Sequence, residues 1–423
     1  MHRDSLIGTA TNWWLRSANS AEQMRNVNTN GNLNSNNATT AWICPRPASA
    51  ETYGLEARER RLPLKKRCYM IPTLEQIDRA QRKVWRGKTN TDRYHKYRYY
   101  REDHAFRILE DVTDNDFHPK PMGMKRIDIP KPRLVQVPSV RDKVIMHALC
   151  DNVIYDAVAA QLGNGVSACL IGRGTEYGTN RMMRLLKEFW AEHKAVPWIL
   201  KGDVHAYFAS VKRERVAELA GQVIQDPDAL RISRAYTFYD GKPTGMPLGL
   251  QQNQCFGNFY LASLDRLITV ECGYAAYGRH MDDFYVIAPT RVELEHLLMR
   301  IEAHLTSIGL SLNPKTAIER GRVDFLGFTH IVTEGGKILL RLQNGKKKAK
   351  KRELKMIVRK LAAGELTPES VQQRYQGWRQ RVLRAGCRNV VFEMDRHLIL
   401  LLHKAGYRTR TTKKGVEIIA QSD

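Results

Sequence analysis

The pattern of apolar positions divides the chain near residue 70. Before this point, residues 1–69 are rich in asparagine, proline and mixed charge and show no sustained apolar periodicity, which is typical of a poorly packed extension. Beyond it, apolar residues recur at helical spacing with a basic opposite face, at Leu74, Ile77, Ala80 and Val84. The pattern therefore predicts that the packed part of the protein begins there.

Farther along, apolar runs typical of strands alternate with helical segments. The strand-like runs are 196–204, 274–280 and 284–288, and the periodicity predicts helices over 181–192, 253–268 and 292–308. Strands interrupted by long helices indicate an α+β sheet domain. The C-terminal part, which contains "GKKKAKKRELKMIVRKL", is helical and basic in pattern.

The composition indicates a nucleic-acid partner. The 423 residues suffice for about two or three packed units. The chain has 68 Lys and Arg against 44 Asp and Glu, a formal net charge of +24. Phosphate backbones and anionic membranes attract such an excess, and fold stability does not need it. No apolar run approaches the roughly 20 residues of a spanning helix, so we expect a soluble nucleic-acid-binding protein without a membrane partner.

Cysteine usage indicates the compartment. The seven cysteines are scattered and form no CxxC pair. Their spacing argues against a zinc ribbon or a disulfide framework and fits a reducing cytoplasm.

One segment outside the sheet pattern has two open interpretations. "DRYHKYRYYRED", residues 92–103, interleaves aromatic residues with Arg and Lys. It is either a solvated helix whose tyrosines pack on the core or a surface that contacts nucleic acid.

Three carboxylates stand at the ends of predicted strands. In "YGRHMDDFYVIA", Asp282 and Asp283 are adjacent between two apolar runs, where like charges repel unless a cation lies between them. In "WILKGDVHAYFASV", an apolar strand ends at Asp203. Paired aspartates alone are common in surface loops. A third carboxylate at the end of a buried strand completes the set that two-metal phosphoryl transfer needs.

Other motifs follow in a fixed order around these carboxylates. "GMPLGLQQNQCFGNFYLASLD" lies between the two strands, and its glycines allow close approach of the backbone to a substrate. "GLSLNPKTAI" carries Lys315, and "VDFLGF" predicts a short apolar hairpin at 325–328. Each motif is weak alone, but their order and spacing together are specific.

In this order the motifs resemble a reverse transcriptase of the right-handed palm, fingers and thumb type, over roughly 133–328. The resemblance implies fingers at 70–195, a palm at 196–333 and a basic helical thumb at 334–423, after the extension 1–69. It also implies two Mg²⁺ ions, replaceable by Mn²⁺, held by Asp203, Asp282 and Asp283, with Asp282 a surer ligand than Asp283. The implied partners are template RNA, the cDNA/RNA duplex and dNTPs.

The resemblance also implies roles for individual side chains. Phe208, five residues past Asp203, matches the steric gate that excludes a ribose 2′-hydroxyl. Arg173 in "SACLIGRGT" would hold triphosphate oxygens, and Lys315 would assist the departure of pyrophosphate. The implied primer grip consists of Phe325, Leu326, Gly327 and Phe328.

The segment "PLGLQQNQ" resembles the version found in diversity-generating retroelements, through Leu248, Gly249 and Gln254. Most reverse transcriptases have Gln before that glycine and Ser-Pro at the end. Loss of this Gln removes a polar contact near the incoming nucleotide, and in that family it accompanies poor fidelity opposite template adenines. Such enzymes are prokaryotic or phage-encoded and usually work with a small basic accessory protein. Two departures are His280, where the family has Tyr, and Asn253, where it has Ser.

Two alternatives stay open at this point. One is a retron, group II intron or phage-defence reverse transcriptase of ordinary fidelity, and the other is a non-catalytic RNA-binding protein on a decayed palm. The intact aspartates argue against decay.

The N-terminal extension carries its own hypothesis. "NWWLRSANSAEQMRNVNTNGNLNSNNATTAWICP" resembles the ligand-binding end of a C-type-lectin-like variable protein, the usual target of such retroelements. Asparagine codons are AAT and AAC, and replacing either adenine creates no stop codon. We therefore expect that this segment is a template repeat read in frame and that the polymerase proper begins near Met70. A disordered polar tail is the alternative.

Overall fold

The structure is a computed structural model, and it describes residues 72–87, 92–127, 133–412 and 415–419. The hypothesis for residues 1–69 lies outside the described residues.

The first part of the fold is a helical unit with one hairpin. Helix α1 begins after Thr73, whose hydroxyl accepts a hydrogen bond from the Gln76 backbone while the Gln76 side chain accepts one from the Thr73 backbone, a capping box. As predicted, Ile77, Ala80 and Val84 are buried, and α1 packs on α3 and α4. Leu74, which the pattern placed on the same face, is instead exposed at the first position of the helix. The elements are α1 (Leu74–Trp85), α2 (Asp92–Tyr99), α3 (Arg101–Thr113), β1 (Gly123–Ile127), β2 (Arg133–Val137), α4 (Val140–Leu149), α5 (Tyr155–Ala159) and α6 (Thr175–His193).

A four-stranded antiparallel sheet in the order β4-β5-β3-β6 forms the centre. Its elements are β3 (Trp198–Asp203), α7 (Tyr207–Ser210), α8 (Arg213–Val223), α9 (Pro227–Thr237), α10 (Gln251–Tyr260), α11 (Ala262–Arg266), β4 (Tyr277–His280), β5 (Asp283–Ala288), α12 (Arg291–Ser307) and β6 (Ala317–Arg320). The three predicted strands are confirmed. The helix expected over 253–268 is instead divided at Leu261 and continues into a π turn, Leu267–Glu271.

A second, three-stranded sheet follows, with β7 (Arg322–Phe325), β8 (Phe328–Val332) and β9 (Ile338–Leu342) in that order. The predicted hairpin is confirmed: Phe325 pairs with Phe328, and the turn residues Leu326 and Gly327 have φ of 50° and 87°. Two positive φ values match the turns whose twist suits a two-residue hairpin. Because β9 pairs with β8, this sheet extends past residue 333, where the sequence placed the start of the thumb.

The C-terminal unit contains the helices α13 (Asn344–Ala362), α14 (Pro368–Arg384) and α15 (Arg388–Lys404) and the hairpin of β10 (Arg408–Thr412) and β11 (Gly415–Ile419). The helices share a core that includes Leu354, Tyr375 and Leu398, and Val416 of the hairpin completes it. The helices agree with the sequence pattern. The hairpin was not expected, since β10 has no apolar residue to alternate with polar ones.

None of the helices within the described ranges is both long and apolar enough to cross a membrane.

Prediction from the fold: His330 on β8 makes the protein sensitive to acid. Its side chain is fully buried, and burial lowers its pKa from 6.5 to about 4. The unfolded chain binds a proton below pH 6.5 while the folded protein does not, so stability is lost as the pH falls from 6.5 toward 4. When the pH falls from 7 to 5, the unfolding free energy of the wild type should decrease through this group by about 2 kcal/mol. The variant His330→Leu lacks the group and should not show this part of the decrease.

Urea unfolding at the two pH values measures this difference. The exposed His118, replaced in the same way, is the control and should leave the pH dependence unchanged. An identical pH dependence in His330→Leu and wild type would contradict the assignment.

Candidate active site on the palm sheet

The sheet brings the three predicted carboxylates to one end of two adjacent strands. Strands β3 and β5 are antiparallel, and Asp203 stands directly opposite Asp283. The backbone N–H of Val204 donates to the carbonyl of Asp282 at 3.2 Å. Gly202 lets the strands meet closely, because a Cβ there would lie 2.2 Å from the Phe284 ring. The antiparallel pairing of β3 with β5 thus brings together residues that lie about 80 positions apart along the chain.

A lysine offsets part of the negative charge of these carboxylates. Burial raises the pKa of Asp282, and the negative charge of Asp203 raises it further. Lys201 lies two residues before Asp203 on β3 and therefore on the same face of the strand. Its ammonium forms an ion pair with Asp283. Burial lowers the pKa of Lys201 to about 8, although Asp203 and Asp282 favour its protonated form.

Lys201 is a site residue that sequence analysis missed. The signal was present, since a lysine interrupts the otherwise apolar strand "WILKGD" on the face that carries the aspartate.

The donor set fits a hard divalent cation. Carboxylate oxygens are the ligands that Mg²⁺ prefers, usually one or two of them together with substrate phosphates. With Asp283 engaged by Lys201, Asp203 and Asp282 are the carboxylates left for a cation. In the described part of the chain, no three His, Cys, Asp or Glu side chains converge closely enough to enclose an ion. Phosphate oxygens of a nucleotide would therefore supply the remaining ligands.

Asn313 holds Asp203 in place. Its backbone N–H donates to the Asp203 carbonyl at 2.7 Å, and its Nδ2 donates to Asp203 Oδ2 at 3.1 Å. The sequence pattern of this segment had indicated Lys315 and not Asn313. The Lys315 side chain is exposed and forms no ion pair with a described residue. Its role at pyrophosphate stays a prediction.

A buried ion pair supports the turn that carries Asp282. The Arg279 side chain is fully buried and pairs with Asp265 through Nη2–Oδ2 and Nε–Oδ1 distances of 2.5 and 2.6 Å. Its Nη1 also donates to the Met281 carbonyl at 3.0 Å. Met281 has a φ of 58°, an unusual value for a residue with a side chain. The guanidinium therefore fixes the backbone immediately before Asp282.

His280 packs in the position where the family has Tyr. Its Nδ1 lies 3.0 Å from Ser167 Oγ. Burial lowers the pKa of His280 to about 4, and the charges of Arg381 and Arg279 lower it too. The ring is therefore neutral at physiological pH and is held in the fold, so this departure leaves the turn intact.

Strand β2 closes on the loop predicted to bind the nucleotide. The Gln136 backbone N–H donates to the Leu248 carbonyl at 2.8 Å. Gly249 has a φ of 113°, and a Cβ there would lie 2.1 Å from the Gln136 carbonyl oxygen. Only glycine permits both features. Leu248 is half-buried at this contact, and Gln254 Oε1 accepts from Cys169 Sγ at 3.5 Å.

Phe208, the predicted steric gate, contacts the segments that carry Met246 and Gly257. Its carbonyl accepts from the Met246 backbone at 2.7 Å, and a Cβ on Gly257 would lie 3.3 Å from its ring. The neighbouring Tyr207 is buried, whereas Phe208 is half-buried and keeps an accessible face. Its role as a steric gate stays a prediction.

Arg173 is engaged elsewhere in this structure. Its Nη1 donates to the carbonyls of Gly163 and Val166 at 2.8 and 3.0 Å, and its Nη2 donates to Asn164 Oδ1 at 3.1 Å. Its role at the triphosphate stays a prediction.

The hairpin predicted as the primer grip has buried aromatic side chains. Phe325 and Phe328 are 1% and 2% exposed, and the Phe325 ring lies 5.0 Å from that of Tyr285. The Leu326 carbonyl at the tip accepts from Arg381 Nη2 of α14 at 2.7 Å. The phenylalanines therefore support the hairpin, and any contact with a primer falls to the tip, Leu326 and Gly327.

The sequence confirms the class that this geometry suggests. Residues 118–330, half of the chain, match the model of the reverse transcriptase (RNA-dependent DNA polymerase) family. The chain therefore belongs to the reverse transcriptase family, which consists of nucleotidyltransferases. A second model, a domain of unknown function (DUF6273), matches residues 2–50. No curated protein matches the sequence.

Solved structures similar to this chain include telomerases of Candida species. Apo telomerase from Candida tropicalis has 10% identity and a TM-score of 0.43 over 67% of this chain and 61% of that one. Its form truncated from the C-terminal domain has 11% identity and a TM-score of 0.41, covering 52% and 54%. Telomerase from Candida albicans with a TWJ fragment of telomeric RNA has 10% identity and a TM-score of 0.42, covering 68% and 61%. The chain thus spans between 54% and 61% of their length.

Prediction from the site: the Arg279–Asp265 pair positions the turn that carries Asp282. Asp265→Asn leaves the buried guanidinium without its counter-charge and should lower stability by about 3–5 kcal/mol. The double variant Arg279→Met with Asp265→Leu removes both charges at similar volume but leaves the buried Tyr277 hydroxyl without its acceptor, so we expect a smaller loss of about 1–3 kcal/mol. It also loses the donor to the Met281 carbonyl, so DNA synthesis should fall about tenfold or more.

Urea unfolding and primer extension, measured on the same preparations, separate these effects. The equivalent exchange at the buried Arg379–Asp395 pair of the C-terminal unit is the control, since it does not touch the turn. A folded double variant with wild-type synthesis would show that the turn does not depend on the pair.

Proposed function

We propose that this protein is an RNA-directed DNA polymerase that uses template RNA, a cDNA/RNA duplex and dNTPs. The proposal is supported by one observation: Asp203, Asp282 and Asp283 lie at the same end of two paired strands in a chain of the reverse transcriptase family. Asp203 and Asp282 would hold two Mg²⁺ ions, which Mn²⁺ can replace, and Asp283 is a weaker candidate because Lys201 engages it. The bound ions would activate the primer 3′-hydroxyl and stabilise the leaving pyrophosphate.

The protein's own residues act around that centre. Asn313 orients the Asp203 carboxylate, and Arg279 fixes the backbone before Asp282. Phe208 blocks a 2′-hydroxyl, and β2 confines the nucleotide loop through Gln136. Their combined effect is to hold the reacting groups in place and to exclude ribonucleotides.

We further propose that the enzyme belongs to a diversity-generating retroelement and makes adenine-mutagenised cDNA for a target gene. Leu248 supports this proposal, because an apolar side chain lies half-buried where β2 meets the nucleotide loop. An apolar contact cannot reject a mispaired base through a lost hydrogen bond, whereas a polar contact can. A small basic accessory protein is the expected partner. A retron, group II intron or phage-defence enzyme of ordinary fidelity is the alternative.

The N-terminal segment agrees with this proposal. Residues 2–50 match a family of protein domains, which favours a translated coding repeat over a merely polar tail. We propose that residues 1–69 record the template repeat and that the polymerase begins near Met70.

Prediction for the carboxylates: Asp282→Asn should lower Mg²⁺-dependent DNA synthesis on an RNA template about a thousandfold or more, because a ligand of the reacting centre is lost. Asp283→Asn should cost less. Primer extension with Mg²⁺ or Mn²⁺ measures both, and the exposed Asp116→Asn is the control. Synthesis retained in Asp282→Asn would refute the two-metal assignment.

Prediction for fidelity: the wild-type enzyme should misincorporate chiefly opposite template adenines, and Leu248→Gln should reduce these errors by restoring a polar contact. Leu248→Met, which stays apolar at similar size, is the matched control and should keep the error pattern. Deep sequencing of cDNA from a defined RNA gives the error rate at each base. Errors spread evenly over the four template bases would favour the alternative of ordinary fidelity.

A further inference from the structure

The helices α1 and α2 and the start of α3 enclose a cavity of about 270 Å³. Its walls include Gln81, Trp85, Tyr94, Tyr97, Arg86 and Arg98. The cavity lies in the segment whose alternation of aromatic and basic residues left two interpretations open. Typical small-molecule sites occupy roughly 300–1,000 Å³, so this one is suited to a single planar group rather than to a folded partner.

Several polar atoms in these walls have no partner among the described residues. The Gln81 side chain is 1% exposed, and neither its Nε2 nor its Oε1 has a hydrogen bond. The same holds for Trp85 Nε1 and the Tyr97 hydroxyl. Burial raises the pKa of Tyr97 to about 12, so its hydroxyl stays a donor. Buried polar groups without partners cost stability, and Gln81, Trp85 and Tyr97, which carry these atoms, all line the cavity.

The rings in the walls suit a flat heterocycle. The centroid of Trp85 lies 5.6 Å from that of Tyr94 and 5.1 Å from that of Tyr97, and the interplanar angles are 56° and 44°. Because these rings are tilted, they form an aromatic lining and not a closed stack. Nucleobases stack on such rings, and their edges carry both donors and acceptors.

The charge around the cavity suits phosphate. Residues 74–107 contain ten Lys and Arg and five Asp and Glu. Arg82 and Arg101 share the Asp78 carboxylate at 2.8 and 3.0 Å. Arg86 and Arg98 are exposed and form no ion pair with a described carboxylate. A basic accessory protein would be repelled by this surface, so the charge favours a nucleic acid.

We propose that this cavity binds one unpaired nucleotide of RNA, with the base against Trp85 and Tyr97 and the flanking phosphates on Arg86 and Arg98. Gln81 hydrogen-bonds the edge of the base. The assignment of RNA rather than DNA rests on the proposed function, in which RNA is the template. The site engages single-stranded template outside the catalytic cleft.

The test measures binding of the full-length protein to a fluorescein-labelled single-stranded RNA 12-mer of mixed sequence, on the order of one binding site in length. Gln81→Met and Arg98→Gln should each weaken binding about fivefold or more. Arg93→Gln removes the same charge from the same helix but does not line the cavity, and we expect less than about a twofold change. Ultraviolet crosslinking should join the RNA to Trp85 or Tyr97.

A second readout excludes misfolding. Because Gln81→Met removes a buried amide without partners, the variant should unfold at the same or a higher urea concentration than the wild type while it binds RNA less well. Wild-type binding by Gln81→Met and Arg98→Gln, or an equal loss in Arg93→Gln, would overturn the proposal. The same loss for a DNA 12-mer would overturn the assignment of RNA.

The outcomes stay separate from those for the proposed function. At saturating poly(rA)/oligo(dT), Gln81→Met should raise the KM for the primer-template and keep kcat, because the cavity acts in binding the single-stranded template and not in the chemical step. Asp282→Asn, in turn, should bind the 12-mer as the wild type does. A variant that loses synthesis and keeps RNA binding therefore tests the role of the carboxylates. A variant that loses RNA binding and keeps kcat tests the role of the cavity.

Discussion

The repulsion among three carboxylates at the end of β3 and β5 is the constraint on which the centre of this protein depends. Pairing Asp203 with Asp283 across two strands is unfavourable by itself, and burial of Asp282 adds to the cost. The fold offsets this cost locally. Lys201 neutralises Asp283, and Asn313 hydrogen-bonds Asp203. The remaining excess of negative charge is what a divalent cation requires.

A buried ion pair fixes the backbone of the turn that carries Asp282. Arg279 and Asp265 form an ion pair inside the protein, where the pair is stable only with good geometry and further hydrogen bonds. One of those bonds goes to the Met281 carbonyl at a strained position of the turn. A buried ion pair of this kind adds little net stability and is better understood as a device that sets the position of Asp282.

Two other contacts define the space around the centre. Strand β2 meets the loop of Leu248 and Gly249 so closely that Gly249 cannot be replaced without displacing Gln136. Phe208 lies against Gly257 on the other side. Strand β2 and the loop before α10 thus meet through backbone contacts, and the side chain at position 248 sets the polarity of this contact. A substitution at Leu248 would therefore change the polarity of this contact and leave the backbone contacts in place.

The sequence by itself determined that Asp203, Asp282 and Asp283 stand at strand ends, because local alternation of apolar and polar residues marks the strands. It also determined the hairpin at 325–328 and the family, which depend on short motifs. It did not reveal Lys201, Asn313 or Arg279 as site residues. Asn313 contacts Asp203 from 110 residues away, and no local pattern encodes such a contact. Nor did the sequence reveal that Phe325 packs on Tyr285 and that Phe328 lies under Arg381. The tertiary structure alone decided these points, since burial and charge pairing depend on which distant segments meet.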